Sequence, residues 1–183
     1  MLPTYSVIFA RGGSKGLPGK NIRPFAGAPL LVHAINLAHS IGEIDRVFVS
    51  TDDPEIAEVA RNANATVITR PSDLAKDDSP EWLAWQHAVK WIEDKFGAFD
   101  RFVSLPATSP LRSQDDVSRR LLALNDRVDM VVAISESARS PWLNMASRDE
   151  QGYLRMLNES KKGITRRQDC PLTYDLTTVA YVS

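Results

Sequence analysis

Short apolar runs that alternate with amphipathic stretches constrain the fold more than any other feature. The runs YSVIFA (5–10), RVFVS (46–50), RFVSL (101–105) and DMVVAIS (129–135) are β-branched or aromatic and do not alternate with polar residues. That is the pattern of strands covered on both faces. TVIT (66–69) and TTVAYVS (177–183) extend the series. Between them lie helical patterns with start signals. Pro29 opens PLLVHAINLAHSI, with Leu30, Ala34, Leu37 and Ile41 expected on one face. Asp53 and Pro54 begin a helix through Ile56, Val59 and Ala60. Ser79 and Pro80 are expected to start the next, with Trp85, Val89, Ile92 and Phe96 as its stripe. Ser113 caps QDDVSRRLLAL, where Asp115 and Asp116 suit a helix N-terminus. Such alternation predicts an α/β, Rossmann-like, mostly parallel sheet with helices on both faces.

Ligands of such sheets bind beyond the carboxyl ends of the strands. Three strands there run into polar loops, ARGGSKG, STDD and PATSPLR, which should meet. After about residue 136 the pattern breaks into an irregular, polar stretch, 136–176, expected to be an excursion from the sheet, a lid or a dimerisation contact. We read 1–183 as one domain. Its last apolar run stops without a following cap, so a C-terminal segment is expected to be missing.

Composition narrows the function. The hydrophobic share of 43% supports a full core. A net charge of -1 argues against a general nucleic-acid or membrane-surface binder. Cys170 is the only cysteine, which rules out an intramolecular disulfide and fits a reducing compartment. No apolar run approaches the roughly 18 residues that span a bilayer, and MLPTYSV does not read as a signal peptide. A cytoplasmic protein is expected.

The loop ARGGSKGLPGKN (10–21) carries the chemistry. Glycines after a strand let successive backbone N–H groups converge into an anion-binding nest. Arg11, Lys15 and Lys20 add charge-assisted contacts to the same anion. The loop is neither a GxxxxGK[ST] P-loop nor a GxGxxG fingerprint. Beyond STDD, Asp53 is explained as a helix cap, while Asp52 could hold a loop, a ribose or a metal. His33, His39 and His87 lack metal-ligand spacing and read as packing or surface residues.

ARGGSKGLPGKN with RPFAGAPLLVHAI, VFVSTDDPEIAEVA, TRPSDLAKD, ATSPLR and RRQDCP resembles the acylneuraminate cytidylyltransferases, or CMP-sialic acid synthetases, over nearly the whole chain. The resemblance implies transfer of CMP from CTP to an acidic nine-carbon sugar by a homodimer using Mg²⁺. It implies that Ala10, Arg11, Gly12, Gly13, Ser14, Lys15, Lys20 and Asn21 hold the triphosphate, with Arg11 and Lys20 stabilising the transition state. It places Arg70 and Ser79 near the cytosine and ribose, and Arg167, supported by Arg166 and Gln168, on the sugar carboxylate. The family's metal-binding aspartates match no position here, so the metal ligands stay unknown. Two departures fall near the sugar. The family form LQPTSPLR has its glutamine at Pro106, followed by Ala107, and the family's NG falls at Thr177 and Thr178. They point to an altered acyl sugar, such as a legionaminic- or pseudaminic-type acid. The alternatives are a nucleotidyltransferase for another nucleotide or sugar, or a CTP-binding domain without turnover.

Overall fold

The computed structural model describes residues 2–158, 164 and 166–183. In chain order the strands and helices are β1 (Thr4–Phe9), β2 (Pro24–Phe25), β3 (Ala28–Pro29), α1 (Leu30–Ser40), β4 (Arg46–Thr51), α2 (Pro54–Asn62), β5 (Thr66–Thr69), α3 (Glu81–Phe96), β6 (Arg101–Ser104), α4 (Gln114–Ala123), β7 (Val131–Glu136), β8 (Ala146–Arg148), β9 (Leu154–Met156) and β10 (Tyr174–Val182). The central sheet runs β5-β4-β1-β6-β10-β7. The β1–β4, β1–β6 and β4–β5 ladders are parallel, and β10 returns antiparallel to β6. This is the mostly parallel α/β sheet that the alternation predicts.

Strand residues alternate between two apolar layers, as pleating requires. Ile8, Val47, Val49 and Val103 pack with α1, α2 and α4. Tyr5, Val7, Phe48 and Phe102 pack with α3. Helices therefore cover both faces, which explains why the strands read as continuous apolar runs. Burying each such side chain stabilises the fold by about 1.5–3 kcal/mol.

The helix boundaries follow local chemistry. Asp53 Oδ1 accepts the N–H groups of Glu55 and Ile56, and Pro54 stands at the first turn of α2. Asp53→Ala should cost about 1 kcal/mol of stability, read as a lower urea midpoint with an unchanged slope. Ser113 and Asp116 form a reciprocal capping box on α4.

Two expectations are corrected in detail. On α1 the buried residues are Leu31, Ala34, Ile35 and Ala38, so of the expected face Ala34 and the following Ile41 are buried while Leu30 and Leu37 are half-buried. LLVHAINLA is apolar nearly all round, so periodicity alone does not choose the face. On α3 the buried seam is Ala84, Ala88 and Ile92. Trp85 and Val89 flank it half-buried, while Phe96 lies more exposed at the end. Small residues bring the helix backbone close to the sheet, and the large rings wrap its sides. Trp85 stacks on Phe9 and meets Tyr181 edge-on.

The chain divides into two compact units, Met1–Ala133 with Thr178–Ser183, and Ile134–Thr177. The second unit contains the antiparallel β8–β9 hairpin. Asp149 Oδ1 accepts the N–H groups of Gln151 and Tyr153 to shape its turn, and Gly152 occupies the left-handed region at φ 91°. Among the described residues no helix is long and apolar enough to cross a membrane.

Candidate phosphate-binding cleft

The first unit holds a cleft of about 660 Å³ at the carboxyl ends of its strands. The glycine loop forms one wall. Ala10 is buried, and its N–H donates to the Ser50 carbonyl at 3.0 Å, extending the contact between β1 and β4 past the last ladder residue. Gly12 N–H then donates to Asp52 Oδ1 at 3.0 Å. A Cβ at Gly12 would stand 2.9 Å from Asp53 Oδ2, so this close approach admits only glycine without movement. Gly13 follows at φ 63°. The loop returns through a 3₁₀ turn at Lys20–Ile22, where buried Asn21 donates Nδ2–H to the Arg11 carbonyl at 3.1 Å. The loop is thus pinned at both ends by groups other than its cationic side chains.

Those cations face the cleft. Arg11, Lys15 and Lys20 line it with Ser14 and Asn21. Arg11 is ion-paired to Asp77 at 2.7 Å, and Lys15 to the same carboxylate's other oxygen. Hydrogen bonds from Lys15, then from Arg11, hold the Asp77 carboxyl below the usual carboxylate range.

Arg70 follows β5 and is buried. Its Nε donates to Ser50 Oγ at 3.1 Å and its terminal NH₂ to the Ser50 carbonyl at 2.7 Å. The guanidinium lies 5.6 Å from the centre of the Phe9 ring. Burial is the main cause that lowers its pKa, and nearby Asp52 and Glu81 oppose that shift. Among the described residues Arg70 has no salt-bridge partner, so a buried positive charge lines the cleft with donor capacity left over. Ser79 lines the same cleft. It does not cap α3, because Pro80 holds the cap position and no side chain closes the helix start.

The third loop completes the wall. Pro106, Ala107 and Thr108 line the cleft with Thr178 and Tyr181. Ser104, at the end of β6, also reaches it. Ser109 Oγ donates to the Thr178 carbonyl at 2.9 Å. Arg112 has no acidic partner among the described residues and donates instead to the carbonyls of Val179 and Pro106. Burial lowers its pKa to about 10, so it stays charged near neutrality.

The three polar loops therefore meet as expected. Arg11, Ser14, Lys15, Lys20, Asn21, Arg70 and Ser79 share one cleft, with Ala10, Gly12 and Gly13 supplying its backbone support. Of the readings open for Asp52, the structure shows the loop tether. Arg166, Arg167 and Gln168 belong to the second unit. There Asp169 takes a bidentate contact from Arg166 at 2.7 and 2.8 Å, and Arg167 donates to the Ala138 carbonyl at 3.4 Å. Sequence reasoning missed Asp77, Glu81 and Tyr181 as cleft residues. Asp77 lies inside RPSDLAKD, but its link to Arg11 spans a sequence gap that no local pattern reveals.

Among the described residues, no group of three or more His, Cys, Asp or Glu is arranged to hold a metal ion. The acids nearest the glycine loop already have partners: Asp52 the loop, Asp53 the helix start, Asp77 the cations.

Comparison with known proteins agrees with this geometry. A family profile described as cytidylyltransferase matches residues 6–181. The N-acylneuraminate cytidylyltransferase of Streptococcus agalactiae serotype III (strain NEM316) is 32% identical over 171 residues, covering 92% of this chain and 40% of that protein. The CMP-N,N'-diacetyllegionaminic acid synthase of Legionella pneumophila is 37% identical over 155 residues, covering 81% of this chain and 64% of that one. The chain thus spans less than half the length of the streptococcal relative. Among solved structures, a CMP:2-keto-3-deoxy-manno-octonic acid synthetase complexed with CTP shares the fold, with a TM-score of 0.70 at 18% identity over 98% of this chain and 73% of that one.

Proposed function

Because the chain belongs to the cytidylyltransferase family, we propose that it transfers CMP from CTP to the anomeric hydroxyl of a sialic-acid-like nonulosonic acid. The observation that carries this reading is the pinned glycine loop, which directs Arg11, Lys15 and Lys20 to one cleft. In the proposed step the sugar's anomeric oxygen forms a bond to the α-phosphorus. The bond from that phosphorus to the oxygen bridging the β-phosphate breaks. Pyrophosphate leaves with the electron pair, and the hydroxyl proton passes to water. Such a transfer depends on positioning and on cations near the developing charge.

Arg11 and Lys20 take the catalytic role, beside the backbone of Gly12 and Gly13. Arg70, charged and buried next to Phe9, is assigned with Ser79 to the nucleoside. Arg167, with Arg166 and Gln168, is assigned to the sugar carboxylate, which a planar guanidinium suits. Mg²⁺ is proposed to arrive on the CTP phosphates. The described residues offer it no carboxylate cage. A homodimer fits the exposed Tyr153, Leu154 and Leu157 in and beside the β8–β9 hairpin. A cytoplasmic setting fits the lone, unpaired Cys170.

The acceptor is proposed to be a legionaminic- or pseudaminic-type acid. Pro106, at the family's glutamine position, lines the cleft without a side-chain donor or acceptor. The test is incubation with Mg²⁺, each of CTP, UTP, GTP and ATP, and a panel of nonulosonic acids. The expected result is pyrophosphate release with CTP and at least one such sugar. No release from the folded protein with any sugar would overturn the reading, and release without preference for CTP would overturn the cytidine assignment.

A further inference from the structure

Two of the cations that line the cleft share an anionic partner within the chain. Asp77 Oδ1 accepts from Arg11 at 2.7 Å, and its Oδ2 pairs with Lys15. One carboxylate therefore bridges two of the three cations assigned to the phosphates, much as a phosphate would. The contact is built rather than incidental. Asp77 sits in a turn closed by the Ser79 N–H donating to the Lys76 carbonyl at 3.3 Å. That turn follows the 3₁₀ segment Ser72–Leu74 and buried Ala75, whose carbonyl also accepts from Arg11 at 3.4 Å.

We propose that Asp77 is an internal phosphate surrogate, a positioning residue that holds Arg11 and Lys15 until the β- and γ-phosphates of the nucleotide displace it. The inference rests on the assignment of the glycine loop to phosphates. The exchange favours the nucleotide because a triphosphate carries more charge and more acceptor oxygens than one carboxylate. Yet every phosphate must first break the Asp77 contacts, so the apparent affinity is that of the free cations reduced by the fraction that is unpaired. As pyrophosphate leaves, the carboxylate is at hand to take the cations back. The device lowers affinity for substrate and product phosphates alike, and so eases pyrophosphate release.

A half-exposed ion pair is a modest competitor, which limits the effect to roughly three- to tenfold. Asp77→Asn should therefore tighten pyrophosphate binding, measured by calorimetry, by about three- to tenfold. The gain should shrink from CTP to CDP to CMP and vanish for cytidine, a charge dependence that a merely structural residue would not produce. Asp77→Ser, which also removes the charge, should show the same gain. If wild-type protein binds pyrophosphate and both variants bind it equally or more weakly, Asp77 is no surrogate and the inference falls alone. If neither wild type nor variant binds pyrophosphate, the phosphate assignment of the loop falls and takes the inference with it.

Discussion

Arg11→Ala should lower CTP turnover by about a hundredfold or more while moving the melting temperature by no more than about 2 °C. The two halves of this expectation have separate causes. Arg11 stands at the start of the glycine loop and is assigned to the charge that develops on the transferred phosphoryl group. Removing one preorganised donor from such a site typically costs a few kcal/mol of transition-state stabilisation. Its contribution to folding is small. The side chain is 35% exposed and, among the described residues, it reaches Asp77 and the Ala75 carbonyl. The contact that shapes the loop, from Asn21 to the Arg11 carbonyl, belongs to the backbone and survives the substitution. A pyrophosphate-release assay beside a thermal melt separates the two. Turnover above about a third of wild type from a fully folded variant would remove Arg11 from the catalytic role, since a lost donor of this kind costs far more.

How much of this was legible beforehand depends on the range of the interactions involved. The strands could be read because burial on both faces demands uninterrupted apolar runs, and TVIT matches β5 residue for residue. The start of α2 could be read because its cap is local: Asp53 bonds residues two and three positions away. The face of α1 could not, because an apolar run without a polar side leaves the choice to the surrounding layer. The seam of α3 was legible only in part, at Ile92, for a related reason. Large aromatic residues dominate a sequence pattern, but close packing on the sheet selected Ala84 and Ala88. The β8–β9 hairpin went unread because each of its strands is three residues long.

The cleft shows the same division. The glycine loop and its cations announce themselves in twelve consecutive residues. The tether from Asp52 to Gly12 spans 40 positions, and it became visible only when the parallel β1–β4 ladder brought the two loops together. Asp77 is a sharper case. Nothing in DLAKDDSP separates Asp77 from Asp73 or Asp78, and only the turn that carries it chooses which carboxylate meets Arg11 and Lys15. In PATSPLR, Arg112 reads only as a cation, but the fold uses it as a fork of donors.

That use of Arg112 leads to the largest expected loss of stability. Arg112→Ala should destabilise the protein by about 3 kcal/mol, lowering the melting temperature by roughly 6–12 °C at this chain length. Arg112 is 9% exposed, and its two terminal nitrogens donate to the carbonyls of Pro106 and Val179. It therefore ties the loop after β6 to β10. Without it two carbonyls in a partly buried setting lose their donors, and the side-chain volume is left empty. Arg112→Lys should recover little, because one ammonium cannot reproduce a fork aimed at two separate carbonyls. The deficit should also be constant between pH 6 and pH 8.5. The folded pKa is lowered only to about 10, and the unfolded value is higher still, so both states keep the charge throughout that range. Urea melts of the three proteins at both pH values measure this directly. A loss below about 1 kcal/mol, or a lysine variant as stable as wild type, would show that Arg112 acts as a surface cation and that the β6 loop is anchored by Ser109 and Thr178 instead.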